Sequence, residues 1–157
     1  MIQTIINKPL ALTSNSSAIT FDGYDIRTRC AYCSNGGWLD YQNGSPIFKI
    51  FGNNYTGYYN VNFSATVSSA TAGVVAIGLY EDGILIPDTI RSVTIGAPND
   101  VETISFNKKL PICPRGNTTI TVGSVPSVPT PTDPATPIET QIPIIVEGTF
   151  NLARSNN

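Results

Sequence analysis

Residues 55–67 constrain the fold more than any other stretch of the sequence. Tyr55, Gly57, Tyr59, Val61, Phe63, Ala65 and Val67 alternate with Thr56, Tyr58, Asn60, Asn62, Ser64 and Thr66. Successive side chains of a β-strand point to opposite sides, so this segment has one apolar and one polar face. That is the pattern of a half-buried antiparallel strand. Residues 144–152 repeat it, with Ile144, Val146, Gly148, Phe150 and Leu152 set against Ile145, Glu147, Thr149 and Asn151.

Residues 73–80 behave differently. Val74, Ala76 and Tyr80 fall on one face and Val75, Ile77 and Leu79 on the other. In an antiparallel protein both faces of such a strand need cover, from a neighbouring sheet or from an identical subunit. Glu81-Asp82-Gly83 and then Ile84-Leu85-Ile86 follow, an Asp-Gly hairpin signal between two apolar runs. Pro87 confines the next strand to an edge or a bulge.

The composition agrees with strands. Thr, Val and Ile supply 47 of the 157 residues, and Leu only seven. These β-branched side chains are stiff at χ1 and favour extended backbone. No dozen residues keep a helical apolar period without a Gly, Pro or Asn breaking it. Further strands are expected near residues 18–21, 47–51, 89–95, 101–110 and 118–123. About eight or nine short strands separated by turns suit a sandwich or jelly roll. The expected class is therefore all-β, an antiparallel jelly-roll sandwich.

Residues 124–143, SVPSVPTPTDPATPIETQIP, hold six of the chain's twelve Pro. Each Pro removes a backbone donor, so the segment is no interior strand. A good strand follows it, which makes it an insertion before the last strand. We expect an ordered, extended arm lying on its own domain or on a neighbour, rather than a floppy loop. The domain reading is a single jelly roll over residues 18–157, with residues 1–17 as an N-terminal arm or edge segment.

Several function classes are excluded by what is scarce. Charged residues make up 13%, against a usual ~25%. The net charge is −2, and the only adjacent basic pair is Lys108-Lys109, read as a solvated strand end. Nucleic-acid binding needs a basic face, so no nucleic-acid partner is expected. The absence of His removes the commonest general base and metal ligand, and with it Ser-His-Asp and Cys-His catalysis. No apolar run approaches the ~20 residues of a membrane helix, so no membrane partner is expected. The N-terminus, with Lys8 in its middle, does not read as a signal peptide, and the expectation is synthesis in the cytoplasm. Five Asn-x-Ser/Thr triplets, at Asn15, Asn43, Asn54, Asn62 and Asn117, are what a chain rich in these residues produces by chance.

Four groups of residues invite a chemical reading. Cys30-Ala-Tyr-Cys33 has knuckle spacing, but Cys113 is the only further Cys and no His completes a zinc site. Free thiols or one disulfide are expected there. Trp38, after Gly36-Gly37, and Tyr41 offer stacking surfaces for a sugar, although a Trp more often fills a core or interface. Asp22, Asp25, Asp40, Asp82, Asp88 and Asp100 sit in turns, and none follows an EF-hand pattern. Two carboxylates can in principle serve a glycosidase, but a sequence cannot give their separation. We expect no enzyme, no cofactor and no metal.

The run SPIFKIFGNNYTGYYNVNFSATVSSATAGVVAIGLYEDGILIPDTIRSVTI resembles the middle of a tumour-necrosis-factor/C1q-like jelly roll. ATAGVVAIGLYEDGILIP, with the Pro-rich arm, is similar to small virion proteins of tailed bacteriophages that infect Firmicutes, of the capsid decoration or head-fibre type. The likeness runs from about Ser45 to Asn151. It implies a homotrimer packed about a threefold axis, with Tyr58, Tyr59, Val75, Ile77 and Leu79 at the interface. It implies a structural virion protein that binds the major capsid protein on the head surface and braces the shell. The alternative is a receptor- or glycan-binding tip, where Trp38, Tyr41, Tyr55, Tyr58 and Tyr59 stack on a host surface glycan. The chain lacks a collagen-like Gly-x-y stalk, which favours a compact knob over a long fibre.

Overall fold

A computed structural model describes residues 1–27, 38–51, 57–112, 117–130 and 135–155. The strands are β1 (Ile2–Ile6), β2 (Leu10–Ala11), β3 (Gly23–Arg27), β4 (Trp38–Tyr41), β5 (Phe48–Phe51), β6 (Gly57–Ser69) and β7 (Gly73–Glu81). They continue as β8 (Ile84–Leu85), β9 (Arg91–Ile95), β10 (Glu102–Ile112), β11 (Asn117–Ser124), β12 (Ser127–Val128), β13 (Ile138–Glu139) and β14 (Pro143–Arg154). One turn of 3-10 helix, Pro87–Thr89, precedes β9.

Two antiparallel sheets face each other. The first runs β10-β6-β14-β1-β3, with β2 beside β14; the second runs β4-β5-β11-β7-β8, with β9 beside β7. The chain changes sheet between β3 and β4, β5 and β6, β6 and β7, β9 and β10, β10 and β11, and β11 and β14. Repeated crossing of this kind makes an antiparallel jelly roll.

In β6 the alternation read from the sequence is the alternation observed, whereas in β14 the register shift between Ile145 and Glu147 breaks it, so that Ile145, in place of Ile144 and Val146, joins Phe150 and Leu152 inside. Along β6, Tyr59, Val61, Phe63, Ala65 and Val67 are buried, while Tyr58, Asn60, Asn62 and Ser64 are exposed. The inner faces meet in an aromatic cluster. Tyr41 stacks on Phe48 at 4.5 Å between centroids, Phe48 stacks on Phe150 at 4.2 Å, and Phe21 sits 5.6 Å from both Phe48 and Phe150. Such pairs add to the area they bury. Burial pushes the phenols of Tyr41, Tyr59 and Tyr80 above their ordinary value.

The Asp-Gly hairpin is where the sequence puts it. Asp82 (φ 49°) and Gly83 (φ 80°) both take left-handed backbone, as a tight two-residue turn demands. The Asp82 carboxylate accepts the Thr119 N–H at 2.7 Å and the Thr119 hydroxyl at 3.1 Å. Prolines fall where a missing donor costs least. Pro143 opens β14, and Pro111 lies in β10, the edge of its sheet.

Residues 124–130 and 135–143 form a strap across the second sheet. The Val125 N–H donates to the Ala76 carbonyl at 2.9 Å and the Gln141 N–H to the Val74 carbonyl at 2.7 Å. Between these anchors β12 pairs with β13. The Thr140 hydroxyl donates to the Val125 carbonyl, and Thr71 to Gln141 Oε1 at 2.6 Å. Val125 and Val128 pack on Ala76, flanked by Val74, Leu85 and Ile90. The arm therefore lies on its own domain.

This strap corrects the expected trimer seam. Val75, Ile77 and Leu79 point into the intersheet core and are fully buried, and the opposite face of β7 is covered by the strap. Tyr59 is 2% exposed, held in the same core. These four side chains are sealed inside one chain and cannot meet a neighbour; Tyr58, at 37% exposure, can.

The N-terminus needs a second correction. Ile2–Ile6 is no arm or edge segment, because β1 lies between β14 and β3, with Ile2, Thr4 and Ile6 turned inward. Residues 18–21 make one bridge, Ala18 to Gly123, instead of a strand.

Candidate binding face

The strap leaves the two sheets unlike on their outer sides. The outer face of the β10-β6-β14-β1 sheet is open. Its residues are fixed by register. Gln3 lies opposite Asn151, Asn151 opposite Asn62, and Asn62 opposite Asn107, so four amides form one row across four strands. The next row is Ile5, Thr149, Ser64 and Ser105, and a shorter row on the other side is Ala153, Asn60 and Lys109. Directly paired side chains sit ~5 Å apart, so each row is continuous. Among the described residues the middle of the face carries no charge. Glu147, which accepts the Thr66 hydroxyl at 3.3 Å, and Lys109 stand towards opposite ends.

Among the described residues two buried side-chain oxygens lack a partner, Ser68 Oγ near the end of β6 and Asn151 Oδ1 in the amide row. Asn151 Oδ1 is shut off from solvent, yet no hydrogen-bond donor reaches it. An unmet buried acceptor costs ~1–3 kcal/mol.

Two grooves interrupt the face. A shift of register between Ile145 and Glu147 spreads the end of β14 and opens a groove of about 440 Å³, with Ile5, Asn7, Ser64, Thr66, Glu147 and Thr149 on its walls. A second, of about 240 Å³, runs between β6 and β10 and is lined by Asn60, Val61, Asn62, Asn107, Lys108 and Lys109. At its end the Lys109 ammonium stands 4.7 Å above the Tyr58 ring. Lys108 turns the other way, to an ion pair with Asp88.

The stacking residues read from the sequence are not brought together. Tyr41 is 4% exposed, stacked on Phe48, and its hydroxyl donates to the Phe21 carbonyl at 3.1 Å. It is a core residue and offers no ring to a ligand. Trp38 belongs to β4 by its backbone, and its side chain lies outside the described residues, as do Tyr55, Cys30, Cys33 and Cys113. Three of the turn aspartates hold local structure. Asp82 ties its hairpin to Thr119 of β11, Asp88 pairs with Lys108, and Asp100 accepts the Ala97 N–H at 3.0 Å. Among the described residues no three His, Cys, Asp or Glu side chains converge on a metal-sized site.

Sequence reasoning marked Tyr58 but missed Gln3, Asn107 and Asn151 as parts of one face. The outward parity of Asn151 was visible in its alternation. Its alignment with Gln3 and Asn62 depends on pairings that join opposite ends of the chain.

No family model matches the chain, and neither does any curated protein. Among solved structures, the globular domain of zebrafish complement 1qA protein is 12% identical, covers 96% of this chain and 93% of its own, and gives a TM-score of 0.50. The fold is thus a C1q-like jelly roll. A family 35 carbohydrate-binding module from Clostridium thermocellum is also 12% identical over 96% of this chain and 95% of that one, at a TM-score of 0.35, too loose a likeness to bear on the fold.

Proposed function

We propose that the chain is a non-enzymatic structural protein of a tailed bacteriophage, a homotrimer seated on the capsid surface, where it contacts the major capsid protein and braces the shell. The observation that carries this reading is the open, uncharged face around Asn151, whose buried Oδ1 lacks a donor. A copy packed against Gln3, Ile5, Thr149 and the rest of the amide row covers this face without desolvating an ion. The family resemblance adds the threefold arrangement, and a head-to-tail contact closes into a ring when its rotation fits. Made in the host cytoplasm, such a protein joins the particle during assembly. Quantification on purified particles tests it. Tens of copies or more per particle are expected; a handful refutes shell decoration.

A second reading, a receptor- or glycan-binding tip, is favoured by one specific observation. The Tyr58 ring, the Lys109 ammonium and the Asn60 and Asn107 amides share one solvent-facing groove region. Host-cell binding by the recombinant protein supports this reading. Normal adsorption by particles that lack the protein counts against it.

A further inference from the structure

We infer that the groove between β6 and β10 binds a saccharide carrying a carboxylate, an inference that rests on the second reading, that of glycan recognition. The groove has a volume of about 240 Å³, and among the described residues no acidic one lines it. The whole chain has a net charge of −2, so this is a locally positive spot on a mildly acidic protein. Of its two lysines, Lys108 is neutralised by Asp88. Among the described residues Lys109 has no acidic partner, and its charge faces the open side of the sheet.

Tyr58 acts on Lys109 rather than only beside it. The ammonium over the ring is a cation–π contact, and it restrains a side chain that otherwise samples many rotamers. Less ordering entropy is then lost when an anion arrives. The remaining groups suit hydroxyls. Asn60 lies directly across from Lys109, and Asn62 across from Asn107, on a surface exposed at all four positions. Each amide both donates and accepts, which matches a hydroxyl that does the same. A carboxylate on Lys109 makes a charge-assisted bond, stronger than a neutral one. A single unpaired cation is too little for a nucleic-acid backbone, which needs several. The chemistry that fits is one negative charge on a polyhydroxylated ring.

Calorimetric titration of the full chain tests this, with a tetrasaccharide of alternating glucuronic acid and N-acetylglucosamine as the probe. An uncharged N-acetylglucosamine tetrasaccharide is the comparison. The acidic probe is expected to bind at least about tenfold more tightly, and Lys109→Gln to abolish that preference. Tyr58→Leu is expected to weaken the acidic probe about three- to tenfold with little effect on the neutral one. Both side chains are exposed, so circular dichroism of each variant should match that of the parent. Side-chain amide resonances of Asn60, Asn62 and Asn107 should shift on binding. Equal affinity for the two probes, or Lys109→Gln binding like the parent, overturns the inference. If saccharides bind but the shifts lie elsewhere, glycan recognition stands and this site falls. If neither probe binds at about millimolar concentration, both fall.

Discussion

The two outer faces of the sandwich are built on opposite plans. Over β7 the outer face is apolar, and a Pro-rich strap of the same chain covers it, with Val125 and Val128 on Ala76. Over β6 and β14 the outer face is polar and bare, a field of Asn, Ser and Thr. The contrast teaches that apolar residues on both sides of a strand announce a cover but not its owner. Here the owner is the chain itself. The surface left open is the polar one, where the feature that stands out is a row of amides and not grease.

The largest effect should come from the core beneath both faces. Phe150→Ala removes a fully buried ring stacked on Phe48, and should cost about 3–5 kcal/mol in denaturant unfolding. A smaller loss would mean that the sheets do not meet through this cluster. Val125→Asp comes next, at about 2–4 kcal/mol, because it sets an unpaired charge among Val74, Ala76 and Val128. That variant should also bind an apolar dye, as β7 loses its cover. An unchanged midpoint would show that the strap covers nothing that matters to stability.

Asn151→Ala sharpens the comparison by giving opposite signs in two assays. Removing a buried acceptor that has no donor should leave the single chain unchanged or more stable by about 1 kcal/mol. The same change should loosen the proposed trimer, seen as dissociation at a higher protein concentration. If it destabilises the isolated chain, Asn151 already has its partner at home.

The smallest effect concerns Glu81, at the end of β7. Burial first, and the neighbouring Asp82 second, raise its carboxyl above the ordinary 4.5. The folded state therefore holds its proton more tightly than the unfolded one, and stability falls as pH rises from 4.5 through the folded value. Glu81→Gln should raise the melting temperature slightly at about pH 7, and the gain should vanish below about pH 4.5. A gain constant with pH would assign the effect to something other than ionisation.

Much of the fold was legible because it is written in local periodicity. Alternation located β6 and β14, and Asp82-Gly83 located the hairpin after β7. What stayed hidden depends on distant parts of the chain. Ile2–Ile6 looks weak alone and becomes an inner strand only between β14 and β3. The identity of the cover over β7 depended on the strap reaching back about fifty residues to Ala76. Tyr41 resembled a surface ring because its turn-rich neighbourhood hides the Phe48 and Phe150 stack that buries it. The amide row was unreadable for the same reason. Each of its members looks like an ordinary outward Asn or Gln until register lines them up.

Sedimentation equilibrium of the purified chain at micromolar concentration tests the assembly claim most directly. Three copies joined through the bare amide face should sediment at about 50 kDa, three times the 16.8 kDa chain. A single species of 16.8 kDa would contradict it.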